Sequence, residues 1–129
     1  MPNHCYNKIT IKASPELIER IIHNKFSFHI LNPVEDISNE NCIEHWGTKW
    51  DCWDFTIIKR GKDGIIFDCT TAWSPPTKII DSLIQRSDAW VKCEFWEEGG
   101  LAGIMVGDKK EIKELMWEDM YIEEMCSLS

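Results

Sequence analysis

The sequence predicts a single α+β domain, on three observations. A unit of strand, Ser-Pro step and amphipathic helix occurs twice along the chain. Segments between and after these units alternate apolar and polar residues, as strands buried on one side do. Finally, 129 residues with 43% hydrophobic side chains and seven tryptophans suffice for one core.

Taken in order, Ile9-Thr-Ile11 is the first alternating segment and leads through Ala13 to Ser14-Pro15. Serine at the N-cap accepts an otherwise unpaired backbone N–H, and proline at the first helical position gives up a donor that has no partner there. Leu17, Ile18, Ile21 and Ile22 then share one stripe of a helix. Residues 25–44 make a long connection that mixes Phe26, Phe28, Ile30 and Leu31 with Asn32-Pro33 and an acidic, Asn-rich run; loops of that length in a compact domain are often functional. Trp53 to Ile58 alternates next and joins Ile65-Ile-Phe67 through Lys59-Arg-Gly-Lys-Asp-Gly64, which reads as a hairpin turn. From there the second unit passes through Cys69 and Trp73 to Ser74-Pro75, expected as a second cap, and Ile79, Ile80, Leu83 and Ile84 repeat the helical spacing. Ala89 to Trp96 puts Val91, Cys93 and Phe95 on one face and Trp90, Lys92, Glu94 and Trp96 on the other. Glu97-Glu-Gly-Gly100 turns into Leu101 to Val106 as one further strand. Residues 108–129 are expected as an acidic C-terminal helix, over Lys109 to Cys126, with Ile112, Leu115, Met116, Met120 and Met125 as its apolar stripe.

The resulting order, βαββαβ over residues 1–107 with an extra C-terminal strand and then a C-terminal helix, is that of a ferredoxin-like sandwich. Such an antiparallel sheet has helices on one face only, so the other face is wet, bound or covered by something else.

Charge and cysteine usage narrow the function classes. The 22 acidic and 14 basic side chains give a net charge of −8, and residues 108–129 alone hold seven acids against three bases. That balance opposes binding to a phosphate backbone, which runs on Lys and Arg displacing counterions, so nucleic acid is a disfavoured partner. The six cysteines show no C-x-x-C spacing, and Met1-Pro-Asn-His-Cys5 lacks the apolar run of a secretion signal. No stretch approaches the ~20 apolar residues of a membrane span. A cytoplasmic, reducing setting follows, with thiols acting as small buried hydrophobes.

Five ordered motifs then match a known pattern: Met-Pro-Asn-x-Cys-x-Asn before the first strand, Phe26-x-Phe-x-x-Leu-x-Pro33, Trp46-Gly-Thr-Lys-Trp-Asp51, Thr71-Ala-Trp-Ser-Pro-Pro76 and Glu97-x-Gly-x-x-Ala-Gly103. Together, from Met1 to about Gly103, they resemble the YubB/Api-type ferredoxin-like family of small phage- and plasmid-borne proteins. The resemblance implies the fold and a viral or mobile-element setting, and no established activity. His4 stands where that family usually has Trp, and Glu97-Glu-Gly-Gly100 is less aromatic than the usual segment.

The candidate binding residues are Trp46, Gly47, Thr48, Lys49, Trp50 and Asp51, with Trp73, Ser74, Glu97, Gly99 and Gly103. Tryptophan anchors dominate protein interfaces, so the expectation is a non-enzymatic module that binds a host or viral protein through Trp46 to Asp51. A small-molecule binder or enzyme with a pocket between the three segments is one alternative, and an acidic decoy of a nucleic-acid-binding defence protein is another. RNA stacked on the open sheet is weighed against by the net charge and by the missing Lys/Arg-Gly-aromatic signature. Pro75 and Pro76 remove donors that an anion cradle would use, and adjacent Glu97 and Glu98 point to opposite faces of a strand, which disfavours an acid–base pair. The histidines and cysteines have no metal-ligand spacing, so no metal or cofactor is expected. A homodimer through the sheet is a further expectation.

Overall fold

Cys5, Asn7, Ile9 and Ile11 are buried while the residues between them are exposed or half-buried, and His4–Lys12 accordingly forms a strand, β1, with one face inward. The computed structural model describes residues 4–31, 45–48 and 51–116. Helix α1, Pro15–Asn24, starts as its sequence dictates: Ser14 Oγ accepts from Leu17 N at 3.3 Å and Pro15 occupies the first turn. It ends where Lys25 takes a left-handed conformation, and one short turn, α2, follows at Phe28–Leu31. The remaining elements are β2 (Trp53–Arg60), β3 (Gly64–Ala72), α3 (Thr77–Ser87), β4 (Trp90–Glu97), β5 (Ala102–Gly107) and β6 (Ile112–Met116).

These strands make one antiparallel sheet in the order β2-β3-β1-β4-β5-β6. The chain is therefore α+β. Helix α1 lies over β3 and α3 over β4. Ile18 and Ile21 of α1 and Ile79, Ile80 and Ile84 of α3 are fully buried against the inward residues of the sheet, among them Ile9, Phe67 and Val91. Each such side chain stabilises the fold by about 1.5–3 kcal/mol, so this shared layer holds the two helices to the sheet.

Two expectations need correction. Residues 108–116 are not helical: Asp108 Oδ1 accepts from Lys110 N and Glu111 N in a tight turn, and Ile112–Met116 pairs with β5 as a sixth strand. The spacing of Ile112, Leu115 and Met116 suits a helix, but the open edge of β5 offers a full row of backbone partners, and tertiary pairing overrides propensity. The rest of the expected helix lies outside the described residues. Nor does Ser74 cap the second helix. Pro76 disfavours helical geometry at Pro75, so the helix starts at Thr77 with no side-chain cap bond.

The edge strand β2 is irregular, with register shifts between Trp53 and Thr56 and between Ile57 and Lys59, and with Asp54 at φ 55°.

Candidate functional site

The segment most prominent in the sequence turns out to support the fold. Trp46 is 2% exposed, its ring 5.9 Å from that of Phe28, and Thr48 is buried beside it. Asp51 caps α2: Oδ1 accepts from Phe28 N and Cys52 N, and Oδ2 accepts from Ser27 Oγ, each at 2.8 Å. Gly47 sits at φ 82° against the start of α3, where a Cβ would meet Thr77 Oγ1 at 2.8 Å. Any side chain there is strained twice over, by conformation and by contact. Lys49 and Trp50 lie outside the described residues.

The second segment docks onto the first. Ser74 Oγ donates to Gly47 O at 2.8 Å, and Thr71 Oγ1 donates to Ser74 O at 2.6 Å. Trp73 follows at φ 70° and is half exposed. The third segment stands apart from that contact. Glu97 is buried and paired in register with Cys5, which in turn faces Thr71 across β1 and β3. Gly99 lies exposed in the β4–β5 turn, and Gly103 is buried where a Cβ would meet Phe95 Cζ at 2.9 Å and the Leu115 carbonyl. Gly47 and Ser74 are thus brought together, and Gly99 and Gly103 serve the β4–β5–β6 hairpins.

Under the sheet, Asn7 organises a polar knot in the core. Its Nδ2 serves Cys5 O, Cys69 O and Thr71 Oγ1 at 3.0–3.3 Å, and its Oδ1 accepts from the thiols of Cys5 and Cys93. Burial pushes the Cys5 thiol up to about 12. The neighbouring Cys52 thiol and burial raise Cys69, and burial followed by the proximity of Cys5 raises Cys93. High thiol pKa values suppress the thiolate that a nucleophile or metal ligand needs. Among the described residues no group of three or more His, Cys, Asp or Glu is placed to hold a metal ion.

The face of the sheet turned away from α1 and α3 is different in kind. Tyr6 of β1 and Trp96 of β4 are paired in register, their rings 5.2 Å apart, and they are 38% and 58% exposed. His4 extends the row, 6.1 Å from Tyr6 and 5.2 Å from Trp53 of β2. Those rings meet across β3 because β3 contributes only Thr70 and Ala72 opposite Tyr6 and His4. Tyr6 and Trp96 line a depression of about 310 Å³ together with Lys8, Asp68, Thr70 and Glu94. At the other end of the same face, Trp90 lines a second depression of about 390 Å³ with Thr10, Lys12, Lys59, Ile66 and Asp63.

The register also sorts the charges. Lys8 and Lys12 of β1, Lys59 of β2, Lys92 of β4 and Lys113 of β6 share this face with the carboxylates of Asp68 and Glu94, and Asp63 joins them in the depression beside Trp90. Among the described residues, five lysines against these three acids make the face +2 on a chain of −8. Pairing of Lys92 Nζ with Glu94 at 3.5 Å removes one charge of each sign and leaves that balance unchanged.

The signal for this face was in the sequence as the alternation Tyr6-x-Lys8-x-Thr10-x-Lys12 and Trp90-x-Lys92-x-Glu94-x-Trp96. Which alternate set would remain uncovered depends on where the helices pack. No family model, curated protein or solved structure matches the chain. No helix among the described residues is long and apolar enough to cross a membrane.

Proposed function

We propose that this domain is a non-enzymatic binding module of ferredoxin-like architecture whose working surface is the open face of the sheet. What supports the architecture is the order β2-β3-β1-β4 of the first four strands with α1 and α3 on one side; β5 and β6 extend it past β4. The binding role rests on one observation, the exposed Tyr6–Trp96 ring pair set over a depression on that face. Trp is buried wherever a core can take it, and Trp46 is; a tryptophan left 58% exposed beside another ring is a contact residue kept for a partner. The face suits a ligand with planar and anionic groups, by stacking and by charge.

The working surface thereby moves from Trp46–Asp51 to β1 and β4. The test is a titration of the intact isotope-labelled chain with separate mixtures of oligonucleotides, peptides and metabolites, read by amide chemical shifts. Shifts centred on Tyr6, Lys8 and Trp96, lost in Trp96→Ala, are the expected result. Shifts confined to Gly47 and Ser74, or none from any mixture, would overturn the reading.

A further inference from the structure

We infer that the ligand of the open face is single-stranded nucleic acid, an inference that rests on the binding-module reading above. Three independent features of the face converge on it. The first is the ring pair itself: unpaired bases stack on aromatic side chains presented by a sheet, whereas bases inside a duplex have no free face to offer. Tyr6 and Trp96 are tilted by 30° and exposed, and Trp90, paired in register with Lys12, presents a further exposed ring six residues along the same strand.

The second feature is the sign of the local charge. The −8 of the whole chain opposes nucleic acid, but among the described residues the face itself is +2. Lys8 and Lys12 run along β1 from the Tyr6 end towards Trp90, and Lys59 flanks them from β2. From Tyr6 to Lys12 is six residues, about 20 Å at the ~3.4 Å rise of an antiparallel strand. An extended single strand spaced at roughly twice the 3.4 Å of a duplex strand places about three nucleotides over that track.

The third feature is the pair of carboxylates beside the rings. Asp68 and Glu94 flank Lys8 in register and line the Tyr6–Trp96 depression. They repel phosphate, so the backbone follows the lysines, and they accept hydrogen bonds from exocyclic amino groups of a stacked base. Cytosine, whose N4 amino group pairs with a carboxylate, fits this arrangement better than uracil or thymine, which present a carbonyl there. The depression of about 310 Å³ is at the small end of ligand pockets and suits one base.

The test is fluorescence anisotropy of labelled oligocytidylate about eight nucleotides long against the intact chain, with oligouridylate, a duplex and free cytidine monophosphate as comparisons. Expected is tightest binding of the cytidine strand, weakened about 20-fold between ~50 and ~200 mM salt as roughly three phosphates displace counterions. Trp96→Ala and Tyr6→Ala, both on exposed side chains, should each weaken binding roughly five-fold or more while leaving the circular dichroism spectrum unchanged. Lys8→Ala and Lys12→Ala should each lower the salt slope by about 0.7. Absence of binding at ~50 mM salt, salt-independent binding, equal affinity of the Trp96→Ala variant, or a mononucleotide bound as tightly as the strand would each overturn the inference. If oligonucleotides fail while peptides or metabolites still shift Tyr6 and Trp96, nucleic acid falls and the binding module stands; if nothing moves the face, both fall.

Discussion

Replacing Asn7 with aspartate should turn the core of this protein into a pH-dependent fault. Asn7 is 3% exposed, and its Nδ2 serves the carbonyls of Cys5 and Cys69 and the Thr71 hydroxyl. An ionised carboxylate donates nothing, and it would face those two carbonyl oxygens with like polarity. The folded Asn7→Asp protein therefore keeps the acid protonated, with its pKa above the ordinary value of about 3.9. As pH rises the unfolded chain ionises first, the native state holds the extra proton, and stability falls. Each pH unit above the unfolded pKa costs about 1.4 kcal/mol, so the loss is roughly 2 kcal/mol at pH ~5.5 and roughly 4 kcal/mol at pH ~7. A further ~1–2 kcal/mol is lost at every pH for the missing donor. The sum at neutral pH, about 5–6 kcal/mol, rivals the whole stability of a small domain. Urea unfolding of both proteins between pH ~5.5 and ~7, followed by tryptophan fluorescence, isolates the effect, since groups common to both cancel in the difference. That difference should widen by about 2 kcal/mol across the interval. A constant difference would refute the placement of Asn7 as a buried donor.

Other changes test other parts of the fold. Trp46→Ala should cost about 3–5 kcal/mol in urea unfolding, because it empties a core position against Phe28 rather than a surface one; a loss under ~1 kcal/mol would return this tryptophan to the surface. Gly103→Ala should part β5 from β6, since the new methyl meets Phe95 and the Leu115 carbonyl, and hydrogen exchange of the β6 amides should accelerate while that of β1 holds. Cys5, Cys69 and Cys93 should resist a thiol reagent at pH ~8 until the protein unfolds: with Cys5 pushed up to about 12, its thiolate fraction there is on the order of 10⁻⁴. Labels counted by mass spectrometry on the native protein at these three positions would contradict that.

Much of the architecture was legible because local and global signals agree. Ser14-Pro15, the repeated apolar pairs of α1 and α3 and the alternation of β1, β3 and β4 each specify one conformation, and each is found. The failures occur where two local rules compete. In Ser74-Pro75-Pro76 the cap signal of serine loses to the second proline's restriction on the first. At Ile112–Met116 the helical spacing of Ile112, Leu115 and Met116 loses to the row of backbone partners that β5 offers. The candidate site was harder to read. Trp46, Asp51 and Ser74 look particular because they hold loops together, a constraint as demanding as binding and indistinguishable from it in one sequence. Tyr6 and Trp96 lie ninety residues apart, and only the pairing of β1 with β4 joins them.

The kinks of β2 decide where this sheet can stop. Ile57 and Ile58 are exposed on a rim strand rich in β-formers, the composition that lets one chain recruit the next. Two register shifts and the left-handed Asp54 break the straight row of donors and acceptors that a docking strand would have to match. Growth of the sheet by another copy is thereby opposed on the β2 side. A sequence that would seed stacking if laid flat is kept harmless by being bent.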